Sequence, residues 1–117
     1  MINAAIVGLG RWGRNLVESV QHKSGRLRFT HAVVRQPEAA RDFAARQALE
    51  LSADFGHILA DKGVQAVVLA TPHSLHADQI VAAARAGKAV FCEKPLALTR
   101  ADAERAIEAC RRAGVAL

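Results

Sequence analysis

Tyrosine is absent from this sequence, and aromatic residues make up only 4% of its 117 positions. A core built from such a chain is expected to be aliphatic. Cysteine is scarce too. The two present, Cys92 and Cys110, form no CxxC or CxxxH spacing, so they do not read as metal ligands. They read instead as small buried hydrophobes with reduced thiols. No run of about 18 apolar residues occurs, so no helix is expected to span a membrane. The first ten residues, MINAAIVGLG, have neither a basic n-region nor a long apolar h-region. They do not read as a signal peptide, and the expected location is cytoplasmic.

Apolar residues make up 51% of the chain and charged residues 23%. That balance fits a soluble globular domain and excludes a disordered one. The length allows one domain, residues 1–117, with a single core. The net charge is +5, and Arg outnumbers Lys by 12 to 4. A basic balance fits nucleic acid or a phosphate-bearing small molecule. The basic residues are dispersed, with no Lys/Arg block and no interleaved aromatics for base stacking, which argues against nucleic acid. Arg111-Arg112 is the densest spot, near a helix end where positive charge suits the dipole.

Short apolar runs alternate with helical periodicity along the chain. The runs Ile2 to Val7, Leu27 to Val34, Leu51 to Ala53, Val64 to Ala70 and Lys88 to Cys92 read as strands. Helices are expected from Trp12 to Val20, from Pro37 to about Ala48, from Asp54 to Lys62 with Gly63 ending it, and from Ser74 to Ala86. A last helix from Arg100 to Ala113 would be capped by Thr99. Val115-Ala116-Leu117 looks like the start of a further strand. Strands alternating with helices imply α/β architecture: a doubly wound parallel sheet of five to six strands, helices on both faces, the last strand truncated.

Gly8-Leu9-Gly10-Arg11-Trp12-Gly13 is a G-x-G-x-x-G loop between the first strand and the first helix. That context makes it a dinucleotide-binding signal. Gly8 would allow the tight turn, Gly10 the approach of a pyrophosphate, and Gly13 close packing of helix on strand. The helix start would favour the phosphates. A ribose-selecting acid is expected at the end of the second strand, and Arg35 stands there instead. An Arg pairs with a 2′-phosphate, so NADP is favoured over NAD. The other reading keeps Arg35 as a solvated loop residue with NAD bound.

Ligands of such sheets lie beyond the carboxyl ends of the strands. Thr71-Pro72-His73-Ser74 should therefore border the same crevice as the glycine loop. Glu93-Lys94-Pro95 follows the fifth strand. A Lys at that place can transfer or orient a proton. A surface Glu93–Lys94 ion pair is the competing reading.

GLGRWG, then TPHSLH, then AGKAVFCEKPLALT resemble the N-terminal NAD(P)-binding domain of the glucose–fructose oxidoreductase/inositol dehydrogenase (Gfo/Idh/MocA) family. The resemblance runs over essentially the whole chain and is most specific from Thr71 to Thr99. It implies hydride transfer between a nicotinamide cofactor and a hydroxyl-bearing carbon of a sugar, cyclitol or related small molecule. It implies that Gly8, Gly10 and Gly13, with the intervening Leu9, Arg11 and Trp12, hold the pyrophosphate side. Thr71, Pro72 and His73 would line the nicotinamide-ribose side. Glu93 would lie near that ribose, and Lys94 would be the catalytic Lys, with a cis peptide before Pro95 aiming it. His76 is grouped with the cofactor residues but reads as a structural hydrogen-bonding group rather than a proton donor.

Arg35 departs from the Asp common in relatives. The resemblance also implies a second domain carrying the substrate pocket and the oligomer interface, so the 117 residues alone are expected to bind cofactor and turn over nothing. A stand-alone nucleotide-sensing module is the alternative, and Lys94 argues against it.

Overall fold

The computed structural model describes residues 1–117. Ile2–Val7 forms the central strand, β1, and its last four residues are almost fully buried. Around it lie β2 (Leu27–Val33), β3 (Glu50–Ser52), β4 (Ala66–Leu69) and β5 (Ala89–Cys92). Their order is β3-β2-β1-β4-β5, and every neighbouring pair is parallel. The helices are α1 (Arg11–Val20), α2 (Pro37–Gln47), α3 (Phe55–Ala60), α4 (His76–Arg85) and α5 (Arg100–Ala113).

Side chains alternate across a strand, so β1 feeds two cores. Ala4 and Ile6 pack with Val17, Phe29, Phe43 and Val68 on one face. Ala5 and Val7 pack with Ile58, Leu69, Ile80, Ala106 and Cys110 on the other. Burial on both faces is why the strands read as continuous apolar runs rather than alternating ones. The expectation of an aliphatic core needs correction, because Phe29 and Phe43 lie at the centre of the first layer.

Local chemistry sets the helix ends. Pro37 opens α2, and Thr99 Oγ1 accepts from the Asp102 N–H at 3.1 Å. At the far end of α5, Glu108 receives both Arg111 and Arg112. Several expected boundaries differ. α3 stops at Ala60, before Gly63, because the Asp61 carboxylate accepts the Gly63 N–H at 2.7 Å and turns the chain early. The helix expected from Ser74 is a 3₁₀ turn, His73–Leu75, followed by α4 from His76. β4 is shorter than Val64 to Ala70, although Ala70 still donates to the Val7 carbonyl at 2.9 Å.

The sheet has five strands. The expected sixth is represented by one bond, from Val90 N–H to the Ala116 carbonyl at 2.9 Å. Lys88 lies outside β5 and is buried, its ammonium donating to the Asp61 and Val64 carbonyls at 2.6 Å each. No helix is long and apolar enough to cross a membrane.

Candidate active site

The carboxyl ends of β1, β2, β4 and β5 open onto one crevice, and the three glycines build its floor for different reasons. Gly8 has φ +98°, and a Cβ there would meet the Ala70 carbonyl oxygen at 2.6 Å. A Cβ on Gly13 would lie 2.1 Å from the Gly8 oxygen. Those two glycines let β1, α1 and the loop after β4 touch. A Cβ on Gly10 would meet nothing within 4 Å. The space beside Gly10 is open at the start of α1, where backbone N–H groups and the helix dipole favour an anion.

Two adjoining cavities continue from this floor. The first, of about 490 Å3, is lined by Gly8, Gly10, Val34, Arg35, Phe55 and Gln79 among others. The second, of about 420 Å3, is lined by Trp12, Ala70, Thr71, His73, Glu93 and Lys94. Ala70 and Thr71 belong to both walls. Volumes of this size suit small-molecule ligands. A groove of about 470 Å3 between α4 and α5 lies away from the glycine loop, and Arg105 and Arg112 at its wall are already paired with acids.

The expected residues fall into three groups. Gly8, Gly10, Arg35, Thr71 and Pro72 line the first cavity, and Trp12, Thr71, His73, Glu93 and Lys94 the second. Arg11 is exposed. Leu9 turns its side chain into the core, so it serves a ligand only through its backbone. His76 requires a correction: its ring is 0% exposed. Nδ1 lies 2.8 Å from the Pro95 carbonyl oxygen and Nε2 3.0 Å from that of Thr71. Both ring nitrogens face backbone carbonyls, and His76 lines neither cavity.

Neither Glu93 nor Lys94 enters an ion pair, so the surface-pair reading is not what the fold adopts. Lys94 is exposed at the cavity, Glu93 is half-buried, and the Lys94–Pro95 peptide is cis. Burial, aided by the Glu93 charge, pushes the Cys92 thiol up to about 11, which makes it a poor nucleophile.

Gln79 was not singled out from the sequence. Its Oε1 accepts the Thr71 hydroxyl at 2.6 Å, and its side chain lines the first cavity. The signal was its place one turn after His76 on the helix that follows the crevice loop. Phe55 and Val34 stand on the same wall.

A parallel sheet ordered around β1, with a glycine loop opening onto a crevice at its carboxyl ends, defines a dinucleotide-binding Rossmann domain. The chain belongs to the Gfo/Idh/MocA family, described as "oxidoreductase family, NAD-binding Rossmann fold", which matches residues 2–117. It is 35% identical over 116 residues to an inositol 2-dehydrogenase of Salmonella typhimurium, covering 97% of this chain and 34% of that protein. It is 34% identical to a 2,7-anhydro-N-acetylneuraminate hydratase of Escherichia coli, covering 98% of this chain and 30% of the relative. The WlbA dehydrogenase of Bordetella pertussis, solved with NADH and UDP-GlcNAcA, superposes with a TM-score of 0.90 at 32% identity, over 97% of this chain and 34% of that one. A 3-ketoreductase of Actinomadura kijaniata, solved with TDP-benzene and NADP, gives 0.88 at 29% identity, over 97% and 36%. The chain therefore spans about a third of the length of these relatives.

Proposed function

We propose that this chain is the cofactor-binding part of an oxidoreductase that moves hydride between a nicotinamide and a hydroxyl-bearing carbon of a sugar, cyclitol or related small molecule. The observation that carries this reading is the shared wall at Ala70 and Thr71. It joins the cavity over the glycine loop to a second cavity holding Lys94. The cradle fits a dinucleotide: Gly10 leaves room for a pyrophosphate, and Arg35 stands at the cavity wall. Backbone N–H groups at the start of α1 hold the phosphates.

Arg35 pairs with a 2′-phosphate, which favours NADP. Similar structures hold either NADH or NADP, so the likeness alone does not choose. The bound nicotinamide supplies the hydride-accepting or hydride-donating carbon. Lys94 Nζ holds the substrate hydroxyl and takes or returns its proton, and Glu93 accepts from the nicotinamide ribose. The substrate pocket is completed by polypeptide beyond these residues in the longer protein, as the length of the relatives supports.

The test is a side-by-side titration of the 117-residue chain with NADPH and NADH, read by nicotinamide fluorescence. Saturable binding with NADPH the tighter is expected. No binding of either overturns the proposal, and equal affinity overturns the NADP assignment.

A further inference from the structure

Thr71 is the one polar side chain that lines both cavities, and its hydroxyl is already committed. Thr71 Oγ1 and Gln79 Oε1 lie 2.6 Å apart. Two oxygens at that distance need a hydrogen between them, and of this pair only the hydroxyl has one. The Thr71 hydroxyl therefore donates to Gln79, and what it keeps for a ligand is lone pairs alone. Gln79 stands in the first turn of α4, three residues after His76. The buried His76 ring holds that turn against the Thr71 and Pro95 carbonyls, so the acceptor that takes the hydroxyl proton is fixed in place.

The other half of the Gln79 amide is unspent. Every buried side-chain nitrogen and oxygen has a hydrogen-bond partner. Gln79 Nε2 has none in the protein, so it is open to the cavity that its side chain lines. It offers two N–H groups and no acceptor. The wall beside it is an apolar slot of Val34, Phe55 and Leu75, with Arg35 at its edge. A flat base fits between apolar plates, and the ring nitrogens of a purine are acceptors that a free N–H can reach. Arg35 is assigned to a 2′-phosphate, which the adenosine ribose carries, so this cavity is the adenosine half of the site.

We propose that Gln79 is a positioning residue that joins the two halves of the cofactor site. On one side its amide N–H groups donate to the adenosine half. On the other its Oε1 takes the Thr71 proton, so that Thr71 presents an acceptor and never a donor to the nicotinamide half. Thr71 then receives a donor of that half, a ribose hydroxyl or the carboxamide N–H. The inference rests on the proposed function and adds to it the residue that sets the hydrogen-bond sense at the joint.

The test separates the two halves with two probes. Adenosine 2′,5′-bisphosphate reports on the first, and reduced nicotinamide riboside, which is uncharged, reports on the second. Saturation-transfer NMR follows both, NADPH is followed by fluorescence, and the Tm of each variant checks folding. Gln79→Leu removes the donor and the acceptor together, so each probe should weaken about fivefold, the loss of one neutral hydrogen bond. Gln79→Glu still accepts from Thr71 but cannot donate, and it adds negative charge. Binding of the riboside should return to within about twofold of the parent, while the bisphosphate weakens about tenfold or more. A Gln79→Leu chain that binds both probes like the parent overturns the inference, whatever its Tm. So does a Gln79→Glu chain that binds the bisphosphate as the parent does, or one that loses the riboside as Gln79→Leu does. If the parent binds no NADPH, the proposed function falls and this inference with it. If the parent binds NADPH and the variants match it, only the role of Gln79 falls.

Discussion

His76 Nδ1 lies 2.8 Å from the carbonyl oxygen of Pro95, and the opposite nitrogen of the same ring lies 3.0 Å from that of Thr71. One fully buried side chain thus ties the loop after β4 to the loop after β5, the two segments that present Thr71 and Lys94. A neutral imidazole has one N–H, so His76→Ala strips one of these two part-buried carbonyls of its donor and opens a cavity. A buried carbonyl left unpaired costs about 1–3 kcal/mol. Urea denaturation should show a loss of that order. Amide exchange should accelerate around Thr71 to Leu75 and Glu93 to Leu96. Unchanged stability and unchanged exchange would show that the clamp contributes nothing.

The three loop glycines should fail in different ways. Gly13→Ala drives a Cβ into the Gly8 backbone oxygen, which has no room to yield. Overpacking of this kind costs about 1–3 kcal/mol, visible as a lower Tm. Gly10→Ala meets nothing within 4 Å, so stability should stay within about 0.5 kcal/mol of the parent. Its effect should appear instead as weaker NADPH binding, because the methyl takes the ligand's space. A destabilised Gly10→Ala with intact binding would contradict the division of roles.

Arg35→Asp replaces a group able to pair with a 2′-phosphate by one that repels it. NADPH affinity should fall about tenfold or more, since hydrogen bonds to charged groups are worth about 1.5–3 kcal/mol. NADH affinity should change far less. Parallel losses for both cofactors in the same calorimetric titration would return Arg35 to the status of a solvated loop residue.

The Cys92 thiol, pushed up to about 11, should resist alkylation. Burial and the Glu93 charge disfavour the thiolate, which is the attacking form. At pH 8 iodoacetamide should label Cys92 on the order of a hundredfold more slowly in the native chain than in urea. The native rate should climb with pH until about 11, where the thiol ionises. Rapid labelling at neutral pH would mean that the β5 end is more open than described.

Glu108 shows the opposite sign. Hydrogen bonds from Arg111 and Arg112 hold its carboxyl down to about 2, against an ordinary value of 4.5. Its depressed value means that its support of α5 is present above pH 4.5 and is lost as pH falls toward 2. The group is fully exposed, so the effect is local. Glu108→Gln should flatten the acid limb of α5 helicity, followed by NMR amide shifts of Arg111 to Ala113. An identical acid limb would place the pairing outside solution behaviour.

Much of the architecture was legible because it depends on short-range rules. The G-x-G-x-x-G spacing marks the β1–α1 turn, Thr99 and Pro37 mark helix starts, and short apolar runs mark strands buried on both faces. Misplaced boundaries arose where a neighbouring polar group intervened. The Asp61 carboxylate ends α3 ahead of Gly63, and β5 begins after Lys88 because that ammonium turns inward to two carbonyls. Of the site, the glycines, Arg35, Thr71, His73 and Lys94 stood out by motif. Gln79, Phe55 and Val34 did not, because they join the cavity only when α4, α3 and β2 come together.

The sequence by itself determined the elements, their alternation and the dinucleotide signal, since these follow from periodicity, caps and glycine spacing within a few residues. Only the tertiary structure decided what the side chains at the crevice face. It buried His76 between two carbonyls 24 residues apart in the chain, left Glu93 and Lys94 unpaired, and stood Trp12 beside Lys94. Those outcomes depend on where distant backbone carbonyls and parallel strand ends meet, a matter of packing across the sheet that no local pattern encodes.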